Sequence, residues 1–349
     1  MSEVLSHKCP NCDGPLLFDP EQQNFHCEYC LSIFTETDIL SDSLQQQQQQ
    51  LEETKEQLFN LYHCPSCGGD VVTDDTTVAT FCYYCHNPVV LTDRVSGDFL
   101  PNAILPFTVS EDTARESFIN WTKQKKFIPK DFFTAEQIDK ITGVYFPYWN
   151  VDADIDGSVT AKGTKIDIWR VGDTEYTRTR RYDILRQGHL TFKSLLKNAL
   201  AKNMKQKMLE SVQPFPVDDV REFHTQYLSG FQAEKRDIEF QDIQQDVALE
   251  LTNHTESLLL NDVIGYTTLA PKTRQAIIKN QSNKYLLLPL WIITYQDTQR
   301  DEPYYYAMNG VTGKVGGILP INKIKLTSVS VLCGIVTGLL TLLGGYLLF

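Results

Sequence analysis

The sequence predicts an α+β protein: two small four-cysteine zinc ribbons, a mixed α+β body with antiparallel hairpins, and one C-terminal transmembrane helix. Three observations carry that expectation. The pattern C-x2-C, 14 residues, C-x2-C occurs twice, as Cys9/Cys12/Cys27/Cys30 and as Cys64/Cys67/Cys82/Cys85, each cysteine returning 55 residues later. Aromatic, strand-like runs in the middle of the chain are separated by turn chemistry and two helix patterns, without a regular βαβ alternation. The last 24 residues, Leu326 to Phe349, contain no charged side chain.

These features divide the chain into a first ribbon (1–35), a helical Gln-rich linker (36–62), a second ribbon (63–94), an α+β body (95–325) and a transmembrane helix (326–349). Within each ribbon, two residues between cysteines allow a tight turn to aim both sulfurs at one ion, and two such turns complete a tetrahedron of thiolates. Pro10 and Pro65 fix φ, and Gly14, Gly68 and Gly69 accept tight backbone. Soft thiolates select zinc over magnesium or calcium, and four protein ligands leave no open position. The expectation is therefore two structural Zn²⁺ ions, held by Cys9, Cys12, Cys27 and Cys30 and by Cys64, Cys67, Cys82 and Cys85. His7, His26, His63 and His86 read as neighbours, since the thiolates already fill each tetrahedron. Cys333, in the apolar tail, reads as a packing residue.

The linker carries six consecutive glutamines, Gln45 to Gln50, with Leu44, Leu51 and Leu58 seven apart. That spacing fits a solvated spacer helix or a short coiled coil. In the body, Ser110 reads as the N-cap of a helix running to Lys125, with Ala114, Phe118 and Trp121 on one face. "GVYFPYWNVDADIDGSV" and "KYLLLPLWIITYQ" read as strands. Both contain Pro-x-Trp (Pro147/Trp149 and Pro289/Trp291), which fits either an internal duplication or two similar strands. Phe192 to Leu209 reads as a basic helix, Glu239 to Leu260 as an acidic one, and "YYYAMNGVTGKVGGILP" as strand, turn, strand.

Charge narrows the function classes. The whole chain is −12, with 32 Lys and Arg against 44 Asp and Glu. Residues 1–35 set one basic residue against five acids, and residues 63–93 set none against four, so each ribbon is −4. Phosphate contacts need Lys or Arg, so these ribbons would repel a duplex. The exception is Lys162 to Lys207, with twelve Lys and Arg against four acids, a net +8. Such a stretch fits an anionic lipid surface, a solvated basic face, or pairing with the acidic segment Glu239 to Glu250.

"DADIDG" (Asp152 to Gly157) opens like a calcium loop. Position 12 of that loop is Gly163 instead of the required Glu, and the alternation is that of a half-buried strand. "NGVTGKVGG" lacks the G-x4-G-K-[ST] of a phosphate loop. With no H-E-x-x-H, G-x-S-x-G or helicase motif, the expectation is that the chain is not an enzyme. Met1 to Lys8 lacks the apolar stretch of a signal peptide. As a helix the tail reaches about 36 Å, enough to cross a ~30 Å hydrocarbon core, and Lys323 and Lys325 before it place the body in the cytoplasm. Ser330, Gly334, Gly338, Thr341 and Gly345 form a small-residue stripe on that helix, which fits packing against a second copy or a partner helix.

The two ribbons, "ILPFTVSEDTARESFINW", "GVYFPYWNVDADIDG", "LPLWIITYQ", "NGVTGKVGGILP" and the membrane segment together resemble the bacterial membrane-bound double zinc-ribbon proteins, labelled TFIIB-type or primosomal-helicase-like zinc ribbon proteins. The resemblance implies structural zinc and membrane association. Some relatives are encoded beside phage-shock protein A and flotillin-like proteins, which implies those partners and a role in envelope stress or membrane organisation. The leading expectation is a non-enzymatic membrane adaptor or scaffold at the cell membrane. The alternative is a nucleic-acid-binding zinc-ribbon protein linked to transcription or replication.

Overall fold

The protein is described from a computed structural model, covering residues 4–5, 7–39, 61–64, 70–73, 77–81, 87–91, 100–125, 127–128, 138, 141–201, 210–297, 302–318 and 321–348. The expected linker helix falls mainly on residues 40–60, outside the described residues.

The chain opens on β1 (Val4–Leu5), followed by a small antiparallel sheet of β2 (Leu16–Asp19), β3 (Asn24–Cys27) and β4 (Ile33–Phe34). An antiparallel pair, β5 (Leu61–His63) and β6 (Asp70–Val72), comes next, then β7 (Thr77–Phe81) and β8 (Pro88–Leu91). The body adds β9 (Ala103–Ile104), α1 (Glu111–Lys123), β10 (Thr142–Val171), β11 (Thr174–Asn198), β12 (Arg221–Glu222) and β13 (Gln232–Glu234). It ends with α2 (Phe240–Asn261), β14 (Thr268–Asp297), β15 (Glu302–Asn309), β16 (Val315–Ile318) and α3 (Lys323–Leu348). The fold is α+β, as expected.

One large sheet runs β1-β8-β7-β13-β10-β14-β15-β16, with β11 on β10, and β9 on both β14 and β12. Strands β7 and β8, from the second cysteine segment, thus belong to the same sheet as the body strands.

Strand β10 changes character along its length, and its sequence explains why. At the base, Val144, Phe146 and Tyr148 face one apolar cluster with Leu286, Leu288 and Phe215, while Tyr145 and Trp149 face another with Phe107, Tyr285 and Trp291. Both faces are covered, so the base reads as an unbroken apolar run. Further along, Val151, Ala153 and Ile155 are buried under Val247 and Leu251 of α2, while Asp152, Asp154 and Asp156 point the other way. "DADIDG" is therefore strand, as its alternation predicts. Beyond Gly163 the strand is largely exposed on both faces. Its pairing with β11 continues to Val171↔Thr174, where Gly172 supplies the positive φ (+60°) of a two-residue turn.

The described first part of the expected basic helix, from Phe192 to Asn198, is not helical, and residues 202–209 lie outside the described residues. Residues 192–198 are strand, paired with β10 from Ala153↔Phe192 to Tyr148↔Asn198. The apolar residues that fit a helical face also suit this strand, because Leu190 and Phe192 lie opposite Ile155 and Ala153 on the face that α2 covers. A bulge resets the register at Ser194 (φ +60°), whose N–H donates to Asp152 Oδ1 at 2.8 Å. Lys197 pairs with Glu250 of α2, so part of the basic segment meets the acidic helix.

The two Pro-x-Trp strands pair with each other about a local two-fold: Tyr145↔Pro289 mirrors Pro147↔Leu287. Parallel strands flank both, with Val144↔Gln232 and Tyr145↔Ala233 on one side and Leu286↔Ala103 and Leu287↔Ile104 on the other. Trp149 Nε1 donates to Ile238 O and Trp291 Nε1 to Val109 O, both at 3.0 Å. These carbonyls lie immediately before the N-caps Glu239 and Ser110 of α2 and α1. Asn198 Oδ1 accepts from Leu200 N, as Asn309 Oδ1 accepts from Val311 N. The body is thus one strand–helix–strand–strand unit used twice, with the long β10–β11 hairpin extending the first.

Candidate metal centre

The first four cysteines converge. Two backbone turns of the same form present them. In one, Asp13 N donates to Cys9 O (2.9 Å) and Cys9 N to Gly14 O (2.7 Å); in the other, Leu31 N donates to Cys27 O (2.9 Å) and Cys27 N to Ser32 O (3.0 Å). Each closes with a residue at φ +58°, Asp13 and Leu31. The β2–β3 hairpin brings the turns together, its own bend held by Asp19 Oδ1 accepting from Glu21 N and Gln22 N.

The four Sγ atoms lie within 4.8 Å of one another, with Cys9–Cys30 and Cys12–Cys27 both at 3.5 Å. A zinc ion with sulfurs at ~2.3 Å needs tetrahedral edges of about 3.8 Å, so the quartet fits zinc with little rearrangement. All four are free thiols; Cys9 and Cys27 are buried and Cys12 and Cys30 exposed. Without an ion they are electrostatically unequal. Hydrogen bonding from the Ser32 side chain and backbone draws Cys30 down to about 6. Cys12 is drawn down by the Gly14 backbone, but the neighbouring thiols Cys30 and Cys27 outweigh this and push it up to about 12. A cation supplies the charge that lets the whole quartet ionise.

The centre is fixed to the body. Phe18 and Phe25 pack on Tyr227, with ring centroids 5.2 and 5.9 Å away. Phe18 N donates to Ser229 O at 3.2 Å, Ser229 Oγ to Leu16 O at 2.5 Å, and Gln23 Nε2 to Phe107 O at 2.6 Å. Arg221 bridges Tyr227 Oη (3.0 Å) and Glu36 (3.4 Å). The sequence offers no period or motif for this docking segment, residues 221–229, because its contacts depend wholly on the fold.

His7 is half-buried, and desolvation of its ring holds it near 4 and therefore neutral, despite an opposing backbone hydrogen bond to Thr225. It is not among the residues whose ligand atoms cluster, and neither is His26. Of the second quartet, Cys64 is buried, and Cys67, Cys82 and Cys85 lie outside the described residues, as does His86. Among the described residues, one four-cysteine cluster, Cys9, Cys12, Cys27 and Cys30, could therefore hold a metal ion.

No family model matches the chain, and no solved structure matches it. The chain is 30% identical over 325 residues to the uncharacterized protein YdjG of Bacillus subtilis (strain 168), an alignment covering 93% of this chain and 93% of that protein. With that identity across nearly the full length of both, the chain belongs to the same family as YdjG.

Proposed function

We propose that this protein is a non-enzymatic zinc-ribbon adaptor or scaffold, anchored in the cell membrane by α3 with its body on the cytoplasmic side. The observation that supports this best is a closed centre: four thiols fill a tetrahedron, leave no position for a substrate, and brace a ribbon that the body holds in place. A second structural zinc at Cys64, Cys67, Cys82 and Cys85 follows from the repeated spacing. Helix α3 spans 26 residues, and Lys323–Thr341 is exposed throughout, long and apolar enough to cross a membrane. By the resemblance, the partners are phage-shock protein A-like or flotillin-like membrane proteins. Gly334 and Gly338 of α3 have nothing packed over them, which suits close approach of a second helix.

Zinc analysis, nucleic-acid binding and crosslinked capture from native membranes test this reading. The expected result is two zinc ions per chain, no salt-sensitive sub-micromolar binding to DNA or RNA, and a reproducible membrane-protein partner set. The β10–β11 hairpin is the feature that favours the nucleic-acid alternative, because it is basic within an acidic chain. Tight, salt-sensitive DNA binding abolished by reversing its charges would replace the adaptor reading.

A further inference from the structure

The β10–β11 hairpin with the start of β14 forms a three-stranded arm whose end is exposed among the described residues. Along one face, Thr255 and Leu259 of α2 sit over Gly157, and Tyr266 sits over Gly163. Beyond that point the same face presents Lys165, Asp167, Trp169 and Val171 on β10, opposite Arg180, Arg178, Tyr176 and Thr174. Trp169 and Tyr176 stack at 5.7 Å, Arg178 lies 5.6 Å from the Trp169 ring, and Arg178 and Arg180 pair with Asp167. Trp169 and Tyr176 remain nearly half exposed, at 44% and 46%. Residues 162–186 and 264–279 hold ten Lys and Arg against four acids, a net +6, which leaves the other residues at −18. Exposed aromatic groups beside arginine are what protein interfaces favour.

The complementary surface lies on the metal-binding ribbon. Tyr29, Leu31 and Ile33 are 74%, 80% and 61% exposed, beside the exposed Asp13 and Glu28. Residues 7–39 set six acids against Lys8, a net −5, and a zinc ion with four thiolates adds a further −2. The arm cannot reach its own ribbon. The ribbon packs near Tyr145, through Phe107 and Tyr227, and Trp169 lies 24 residues further along the same continuous strand, about 80 Å of extended chain.

We propose that the arm of one copy docks on the first ribbon of a second copy, with Trp169, Tyr176, Lys165 and Arg178 meeting Tyr29, Leu31, Ile33 and Glu28. The contact joins different surfaces on the two copies, so it propagates head to tail along the membrane. Anchoring in one membrane raises the effective concentration of copies. An anionic lipid surface suits the arm less well, because the apex itself carries Asp173 and Glu175. The proposal deepens the scaffold reading and rests on it.

The test uses the full chain in its own membrane, co-expressed with two different tags and carrying a benzophenone amino acid at Trp169. The expected result is a light-dependent crosslink joining the two tags and mapping to residues 28–33. Lys165→Glu with Arg178→Glu should lower its yield about tenfold, through unfavourable charge contact, and adding Glu28→Lys should restore part of it. Crosslinks confined to one chain, to lipid, to nucleic acid or to another protein overturn the proposal. So does an inter-tag yield that charge reversal leaves unchanged. If the inter-tag crosslink is absent while the chain still captures a fixed partner set, self-assembly falls and the scaffold reading stands; if both are absent, both fall.

Discussion

Cys27 is buried where the small β2–β3–β4 sheet meets the body, whereas Cys12 and Cys30 are exposed on the outer side of the cysteine cluster. Losing Cys27 removes a ligand and opens the packing around Phe25, so Cys27→Ser is expected to lower bound zinc by one ion per chain, read by elemental analysis. The β2–β3–β4 unit should then become sensitive to limited proteolysis while the large sheet stays resistant, because metal binding and folding of such small units are coupled. A second residue-scale effect concerns acid. Hydrogen bonds from Thr191 and Asn280 hold Asp154 below the usual carboxylate range, and those from His189 and Lys279 do the same for Asp156. A carboxyl held low stabilises the fold above its unfolded value near 3.9 and loses that contribution as pH falls through the folded value. Unfolding followed below pH 4 should therefore show less acid sensitivity in the Asp154→Asn, Asp156→Asn variant than in the parent.

At the scale of elements, the two-fold repeat makes paired predictions. Trp149→Phe and Trp291→Phe each remove one indole hydrogen bond to the carbonyl before a helix N-cap, and each should cost about 1–2 kcal/mol of stability by denaturant unfolding, with similar values for the two. The Pro-x-Trp recurrence in the sequence pointed at this repeat but was too short to establish it. What establishes it is pairing and capping geometry, spread over segments with little sequence in common. Gly157 shows the same limit. Its place after three alternating aspartates resembles a calcium loop, but its role is to let α2 lie close to the strand. A Cβ there would sit 2.4 Å from Thr255 Cγ2 and 3.0 Å from Leu259 Cδ1. Gly157→Ala should therefore cost about 1–3 kcal/mol by forcing α2 outward, read as a lower thermal midpoint.

For the whole molecule, α3 leaves the sheet after β16, which pairs near the Thr294 end of β14, whereas the arm lies at the Thr268 end. Helix α3 and the arm thus emerge at opposite ends of one sheet. A chain ending at Lys325 is expected to move from the membrane fraction to the soluble fraction on cell fractionation, with its body sheet retained. Bound zinc that follows the truncated chain into the soluble fraction shows that the metal centre does not depend on the anchor.

The elements legible in the amino-acid pattern are those whose signal is local. The Cys9/Cys12 and Cys27/Cys30 pairs mark two matching turns, Ser110 and Glu239 mark helix starts, Asn309-Gly310 marks a hairpin, and 24 uncharged residues mark a membrane-length helix. Each needs only neighbouring residues to satisfy its chemistry. Tertiary structure alone decided that Phe192 to Asn198 is strand and not helix, because β10 offers a long edge and α2 covers the face on which Phe192 falls. It likewise decided that the first cysteine segment is fixed to the body by Tyr227 and Ser229, and that residues 162–186 form an extended arm with the start of β14. Those outcomes depend on partners tens of residues away, and the pattern of one segment does not record what another segment will press against it.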